Sequence, residues 1–400
     1  MKTPSRRELD GLWTGHNAEW RDPAQIASQW TEAGDIDPKL LDFKVRGAWW
    51  DVLETRRMTL LVTREYEHLV IAFTVLKGKP LVTYMPLPHP SGVVVDRKRD
   101  VVHIASTRNP NQIADFKPVT GIIPRTDVEI ERPVGHPLVP VRTRFYPGSL
   151  YLHDLALVGD VLHGNAVGQN AVVRLDDDGG MTRVWWPRCI ETAKGPLFEQ
   201  NHIQLNSIAA GSDVASSYFS ASAQEISSRR PGHRNFPTDR RGVIFDGSTR
   251  DPMACGLTRP HSARLKGKTL WVANSGYGEL GKVRKGGLET VIALPGWTRG
   301  LCFRGKLGFV GTSRVIPRFR RYAPGLDVDA SVCGVHIIDT QSGETVGSIV
   351  WPYGNQIFGL DWAPRNKITG FPFTAKTHST SSRIKKLFYA YTTEPCGSNQ

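Results

Sequence analysis

The chain has 400 residues, of which 40% are hydrophobic, and it carries 39 Gly, 27 Pro and a formal net charge of +13. No stretch approaches the ~18 apolar residues of a membrane span, and the N-terminus lacks the apolar core of a secretory signal. The five cysteines never show C-x-x-C spacing, which excludes a disulfide framework and a zinc cassette. We expect a cytoplasmic protein with many short strands and no membrane partner.

The positive charge is spread along the chain. Its densest groups are Arg314 to Arg321 and Arg229 to Arg241, and neither belongs to a motif that reads RNA or DNA. A solvated basic face and attraction of an anionic substrate or acidic partner both explain this pattern. No nucleic-acid partner is expected.

Residues 1–55 are predicted to form a short helical N-terminal extension. Asp22-Pro23 supplies an N-cap and a proline at the first helical position, so a helix is expected through Ile26, Trp30 and Ala33. Three β-rich runs follow between residues 59 and 86, and they lack an inner strand of their own.

Six times, a short polar cluster is followed at once by an apolar, strand-like run. Repetition at about fifty residues is typical of a β-propeller, in which each repeat is one four-stranded blade. We therefore predict an all-β chain that forms a six-bladed β-propeller. The innermost strand of each blade begins beside the central channel, so the recurring position points into a shared cavity. The residues at this position are Ser91, His153, Asn206, His261, Arg299 and Phe358.

The propeller is predicted to span residues 56–362, with the ring closed when residues 355–362 join the strands of 59–86, which removes exposed sheet edges. Residues 363–400 are expected to form a tail packed on the propeller, with Leu387-Phe388-Tyr389 as its anchor. Two long insertions, 224–241 and 313–331, are predicted to lie over one channel mouth. The second is interpreted as a lid or as a basic loop that docks a protein partner.

The candidate catalytic residues are His153, Asp154, Asn206, His261 and Arg299. His153 and His261 lie two blades apart and face across the channel, where they would share a metal or act as an acid/base pair. Asp154 is expected to orient His153, Asn206 to position the substrate, and Arg299 to bind its negative group. A structural network of channel hydrogen bonds is the alternative.

Further candidates surround this position. The predicted substrate-binding residues are Trp297, Arg259, Arg264, Gln204 and Phe358. A divalent or transition metal ion would be held by His153 and His261, with His202 and His89 as added ligands if their loops fold over the mouth. Gly276-x-Gly278-x-x-Gly281 lies between strands with no helix after it, so no nucleotide cofactor is expected.

A series of segments resembles an uncharacterised bacterial family with a predicted six-bladed propeller, catalogued as a domain of unknown function. The segments are H-D-L-A-L (153–157), L-N-S-I-A (205–209), G-H-R (232–234), R-P-H-S-A-R (259–264), N-S-G-Y-G-E-L-G (274–281), G-W-T-R-G-L-C-F (296–303) and C-G-V (333–335). The resemblance covers about residues 50–362. The family commonly has a histidine two residues before the position of Asn206, where this chain has Gln204, with a histidine at 202 instead.

The function that these patterns favour is an enzyme acting on a small, anionic molecule in the central channel. Six-bladed bacterial propellers resemble, as a class, lactonases, lyases and strictosidine-synthase-like catalysts, so lyase, hydrolase or oxidoreductase chemistry, with or without a metal, is expected. The alternative is a non-catalytic binding or scaffold propeller that engages a protein through loop 313–331. Fold alone does not decide between them.

Overall fold

A computed structural model describes residues 5–8, 10–11, 36–108, 111–123, 127, 135–233, 235–377 and 381–394. The helix predicted through Ile26, Trp30 and Ala33 lies outside the described residues. Residues 6–8 and 10–11 are helical. The α-helices with both ends among the described residues are Trp49–Thr55 and Ser382–Phe388, and the 3-10 helices are Pro38–Leu41, Val167–Gln169, Arg188–Ile190, Ser275–Tyr277 and Pro317–Tyr322. No helix in these ranges has both the length and the apolar character to cross a bilayer.

Six antiparallel sheets of four strands form the blades, numbered I to VI and each given from its inner strand outward. Blade I contains Pro90–Asp96, Val101–Ser106, Asn111–Pro118 and Leu138–Tyr146; blade II contains Leu152–Val158, Val161–Ala166, Ala171–Leu175 and Met181–Trp185; blade III contains Leu205–Ala209, Tyr218–Ala221, Gly242–Asp246 and Pro252–Leu257. Blade IV contains Pro260–Lys266, Thr269–Asn274, Glu279–Arg284 and Gly287–Ala293; blade V contains Trp297–Arg304, Leu307–Ser313, Cys333–Asp339 and Thr345–Trp351; blade VI contains Gly359–Pro364, Met58–Arg64, Leu69–Leu76 and Lys79–Pro86.

The inner strands contact one another in a closed ring from blade I to blade VI and back to blade I. Blade VI combines both ends of the propeller, because its inner strand Gly359–Pro364 pairs with Met58–Arg64 in the register Thr63↔Gly359 and Leu61↔Asp361. The prediction of an all-β, six-bladed propeller is confirmed.

Apolar packing between blades supplies the core. Every residue of Met58–Arg64 is buried, as expected for strands covered on both faces by neighbouring blades. The helix Trp49–Thr55 packs on blade VI through Trp49, which is fully buried and contacts Phe73 with ring centroids 5.8 Å apart. Strand Lys44–Gly47 adds a fifth strand to blade V beside Thr345–Trp351.

The tail returns to the propeller. Strand Tyr391–Thr392 pairs with Gly121–Ile122, and a second small sheet joins Glu191–Thr192 to Gly195–Pro196. Leu387 is buried and Phe388 stacks on Phe373, with ring centroids 5.8 Å apart. Tyr389 is 74% exposed, so two of the three residues of the predicted anchor make the contact.

A bulge interrupts the inner strand of blades I to V, close to its start. The register with the second strand shifts between Leu152 and Leu155 in blade II, between His261 and Arg264 in blade IV, and between Thr298 and Leu301 in blade V. A bulge bends the strand and changes the direction of its side chains. These bulges therefore place the pore residues at the channel mouth where the inner strands begin, called here the upper mouth.

Candidate functional site

A cavity of about 150 Å³ lies inside the upper mouth. A cavity of this volume is known to hold benzene, so the ligand is limited to a small molecule of comparable size. Its lining combines arginine, histidine and amide groups with aromatic rings. The lining residues are Glu65, Tyr66, Arg108, His153, Gln204, Gly232, Arg259, His261, Trp297, Arg299, Ser313, Arg314, Ile316, Arg318, Phe319, Tyr322, Asn355, Gln356 and Phe358.

The lining follows two equivalent positions of the blades. One is the predicted pore position, which supplies His153, His261, Arg299 and Phe358; the other lies two residues earlier and supplies Gln204, Arg259, Trp297 and Gln356. Side chains two residues apart share one face of an extended chain, so both positions reach the cavity. Gln204 and Arg259 each have a φ of 51°, a conformation that is uncommon outside glycine and recurs at functional sites.

His261 is held in one tautomer. Its Nδ1 lies 2.8 Å from the carbonyl oxygen of Arg259 and 3.0 Å from Oγ of Ser275. Because the Ser275 hydroxyl donates to the carbonyl of Thr298 at 2.6 Å, both neighbours of Nδ1 accept, and we place the proton on Nδ1. Nε2 then carries the free lone pair. Burial, and next the charge of Arg299, lower the pKa of His261 well below 6.5, so the ring is neutral at pH 7.

His153 lies two blades from His261, in blade II, and packs edge-on against Phe358, with centroids 5.6 Å apart. Burial and then Arg299 lower the pKa of His153 well below 6.5, whereas Asn206 opposes this shift. The Asn206 amide nitrogen donates to Ser222 and to the carbonyl of Pro260. Its Oδ1 has no hydrogen-bond partner among the described residues. It nevertheless lies close enough to His153 to favour the protonated form of that ring. Asn206 thus supports His153 from behind the cavity wall.

Arg259 is 3% exposed and only partly satisfied. Nη1 donates to Oε1 of Gln204 and, at 3.5 Å, to Oγ of Ser222. Nε and Nη2 have no partner among the described residues. The guanidinium lies over the ring of Tyr322, 4.0 Å from its centroid, which fixes its plane. Burial lowers the pKa of Arg259 to about 10, so the group remains charged at neutral pH.

Arg299 makes no hydrogen bond or ion pair with any residue that the structure describes. Its guanidinium carbon lies 3.2 Å from the ring centroid of Phe358, and its Nη2 is buried without a partner. Burial lowers the pKa of Arg299 to about 10. Arg314 is different, because its guanidinium donates to the carbonyls of Gly354, Ser331, Trp351 and Pro352. Arg314 is therefore a structural group, whereas Arg299 is available to a ligand.

Glu65, Tyr66 and Arg108 also line the cavity, although the repeated polar position did not indicate them. Arg108 Nη1 lies 3.1 Å from Glu65 Oε1, so these two charges neutralise each other in the cavity wall. Burial, with Glu65, raises the pKa of Tyr66 to about 12. All three follow the second strand of their blade. In an up-and-down blade this turn lies at the same mouth as the start of the inner strand, so the strand order was a signal that could have found them.

The predicted insertions 224–241 and 313–331 both supply described residues to the lining, among them Gly232 and Phe319, and they are called the lid loops. In the second loop Phe319 stacks on Trp297, with centroids 5.8 Å apart, and packs against Tyr322. In the first loop Phe236 lies 5.8 Å from the guanidinium of Arg259. Arg259 thus contacts aromatic rings of both lid loops.

Some predicted site residues lie elsewhere. Asp154 does not orient His153: its carboxylate accepts two hydrogen bonds from Arg264, at 2.6 and 2.8 Å, and one from the backbone of Ile208. Arg264 lines a pocket of about 400 Å³ at the opposite mouth, not the cavity. The bulge explains both errors, since it turns residues after the pore position away from the upper mouth.

His89 and His202 do not line the cavity either. His89 packs on His68, with ring centroids 4.2 Å apart, and the backbone of His202 donates to Asn170. Across the described ranges, no three His, Cys, Asp or Glu side chains form a group that could hold a metal ion. A cavity lined by several guanidinium groups also repels cations, so the described residues fit a metal poorly.

The fold and the cavity define a six-bladed β-propeller with a buried, arginine-rich site at one mouth of its channel. The chain belongs to the family described as "Domain of unknown function (DUF4915)", whose model matches residues 47–370. A search of the curated proteins found no match.

Several solved structures are similar to this chain. A chain from the crystal structure of a nidogen/laminin complex is 10% identical, with a TM-score of 0.50, over 77% of this chain and 99% of that one. A putative 6-phosphogluconolactonase from Bacteroides uniformis is 15% identical, with a TM-score of 0.39, over 75% and 84%. Virginiamycin B lyase from Staphylococcus aureus is 14% identical, with a TM-score of 0.36, over 68% and 96%. At these identities the likeness concerns the fold, so function is argued from the site.

Proposed function

We propose that this chain is an enzyme that binds a small molecule by its carboxylate or phosphate group in the upper-mouth cavity and uses His261 as a general base. The observation that carries this proposal is the unpaired edge of Arg259. Nε and Nη2 lie on one side of the guanidinium, both buried and both without a partner among the described residues. This edge matches the two oxygens of a carboxylate or phosphate.

The energetics support an oxyanion at this edge. A buried donor left without a partner costs about 1–3 kcal/mol, and more when the group is charged. Tyr322 and Gln204 hold the guanidinium so that the edge cannot turn to another partner. A bound oxyanion would satisfy both donors at once.

The charge of the cavity points the same way. Glu65 is the acidic residue of the lining and is paired with Arg108, whereas Arg259 and Arg299 have no acidic partner among the described residues. The low polarity of a buried site strengthens their attraction for an anion. Neutral ligands would leave both charges uncompensated.

His261 supports catalysis rather than binding alone. Its free Nε2 would accept a proton from the bound molecule or from a water molecule. The hydrogen bonds from Nδ1–H to the carbonyl oxygen of Arg259 and to Oγ of Ser275 would stabilise the resulting imidazolium. Arg299 would stabilise negative charge that develops during the proton transfer. His261 would then return the proton to the product, and His153 would orient the substrate. Lyases and hydrolases both use a step of this kind.

Titration calorimetry tests the binding step with inorganic phosphate, acetate and butyrate as probes. We expect binding to the wild type and a loss of at least about tenfold in Arg259→Gln, because a charge-assisted pair is removed. His261→Gln should bind the probes but not catalyse. Equal affinity of the wild type and Arg259→Gln for all three probes would exclude the proposal.

For any substrate found, the pH profile reports the base. Since the pKa of His261 is well below 6.5, kcat/KM should be constant around pH 7 and fall only at more acidic pH, where Nε2 becomes protonated. An acidic limb that persists unchanged in an active His261→Gln variant would assign the base elsewhere.

Two earlier expectations remain open under this proposal. A metal-assisted reaction would use His153 and His261 as ligands, and it stays a prediction. The scaffold alternative is less favoured, because Phe319 and Tyr322 of loop 313–331 line the cavity.

A further inference from the structure

A second set of unsatisfied polar groups lies two blades from Arg259. Asn355 and Gln356 precede the inner strand of blade VI and line the cavity. Asn355 is 2% exposed and Gln356 is 5% exposed. Nδ2 of Asn355 and Oε1 of Gln356 have no hydrogen-bond partner among the described residues. We call these two side chains the amide pair.

The backbone of the amide pair is fixed. The N–H of Asn355 donates to Glu67 Oε1 at 2.6 Å, and its carbonyl accepts from the N–H of Arg314 at 2.8 Å. The N–H of Gln356 also points to Glu67 Oε1, at 3.4 Å. Because the main chain is held in this way, a shift of the backbone cannot bring Nδ2 of Asn355 or Oε1 of Gln356 to a new partner.

The chemistry of the amide pair differs from that of Arg259. Arg259 offers only donors and a positive charge, whereas the two amides are neutral and have both donors and acceptors. In the arrangement of the structure, the buried atoms without a partner are the donor Nδ2 of Asn355 and the acceptor Oε1 of Gln356. A hydroxyl or a primary carboxamide both donates and accepts, so it satisfies both atoms. A second carboxylate only accepts, so in this arrangement it leaves the Gln356 oxygen without a donor.

We propose that the ligand of the cavity is a small carboxylate that carries a hydroxyl or carboxamide group at the end remote from the carboxylate. This inference rests on the proposed function, because it takes Arg259 as the carboxylate site. The carboxylate binds Arg259 in blade IV, the neutral polar end binds the amide pair in blade VI, and the carbon chain lies along Trp297 and Arg299 of blade V between them. The cavity volume of about 150 Å³ limits the chain to a few carbons.

Four probes of similar length test the assignment by calorimetry: butyrate, 4-hydroxybutyrate, succinamate and succinate. We expect 4-hydroxybutyrate or succinamate to bind at least about tenfold more tightly than butyrate, because each satisfies a buried donor and acceptor. Succinate should gain no such advantage. In Gln356→Met, which keeps the length of the side chain, the preference for the neutral polar group should fall to less than about threefold.

The outcomes separate the two proposals. If butyrate and 4-hydroxybutyrate bind equally, or Gln356→Met leaves the ranking of the probes unchanged, while Arg259→Gln weakens all of them, the carboxylate site stands and the amide-pair assignment is wrong. If no probe binds, or Arg259→Gln changes nothing, the proposed function itself fails. Should Gln356→Met not fold, the ranking of the four probes on the wild type still decides.

Discussion

Replacing Arg299 with methionine is expected to stabilise the empty protein and to weaken its response to anions. Arg299 is charged and 8% exposed, and it has neither a hydrogen bond nor an acidic partner among the described residues. Methionine has a similar length and can keep the contact with Phe358. The substitution therefore removes a buried charge without creating a large cavity.

The magnitude follows from the pKa. Burial lowers the pKa of Arg299 from 12.5 to about 10, and at about 1.36 kcal/mol for each unit this difference corresponds to roughly 3.4 kcal/mol against the charged form. Methionine loses the cation–π attraction between the guanidinium and the Phe358 ring, whose centroid lies 3.2 Å from the guanidinium carbon, and this loss offsets about 1–2 kcal/mol. The net stabilisation is about 1–2 kcal/mol. With about 2.1 cal/mol/K of unfolding entropy per residue, a chain of 400 residues should gain about 1–2 °C in Tm.

Urea unfolding and thermal melts at low ionic strength, with and without phosphate, measure both effects. Arg314→Met is the matched control, since Arg314 donates to four carbonyls, and its loss should cost about 2–4 kcal/mol. The reasoning is refuted if Arg299→Met destabilises the protein as much as Arg314→Met does and phosphate still protects it as in the wild type.

Three further predictions concern other groups. Burial lowers the pKa of His336 from 6.5 to about 4, so its contribution to stability is complete above pH 6.5 and is lost as pH falls from 6.5 through 4. Free energies of unfolding from urea titrations should show a loss of about 2–3 kcal/mol between pH 7 and pH 4.5 that is absent in His336→Gln. Equal losses in the two proteins would contradict this. Tyr322→Leu should weaken phosphate binding by about five- to thirtyfold, because Arg259 loses the ring that fixes its plane; an unchanged Kd would show that the ring is not needed. Elemental analysis of the purified protein should find well below one metal ion per chain, whereas a stoichiometric ion lost in His153→Ala/His261→Ala would support the metal prediction.

The fold and part of the site could be predicted because both depend on one repeated local pattern. A polar residue followed by an apolar run marks each inner strand, and the position of that residue in the blade follows from the strand order. Thus His153, His261, Arg299 and Phe358 reach the cavity as the repeat indicates. Arg259 follows from the same repeat, two residues earlier.

The rest depends on geometry that the repeat does not encode. Asp154 follows His153 directly, and proximity in sequence suggested a pair, but the bulge in blade II sends its carboxylate to Arg264 of blade IV. Glu65 and Arg108 come from turns of two different blades, and their 3.1 Å contact exists only once the ring is closed. Pairing across blades of this kind has no signature in a single sequence.

The unsatisfied groups of the cavity fit binding better than stability. A channel that served only to hold the blades together would gain from pairing its buried polar atoms, as Arg314 is paired. Arg259, Arg299 and the amide pair instead keep free donors and acceptors on three consecutive blades, IV to VI. Each costs the empty protein free energy that a complementary ligand would recover. Arg259 also contacts the aromatic rings of both lid loops, so an oxyanion on its free edge would lie next to the lid loops.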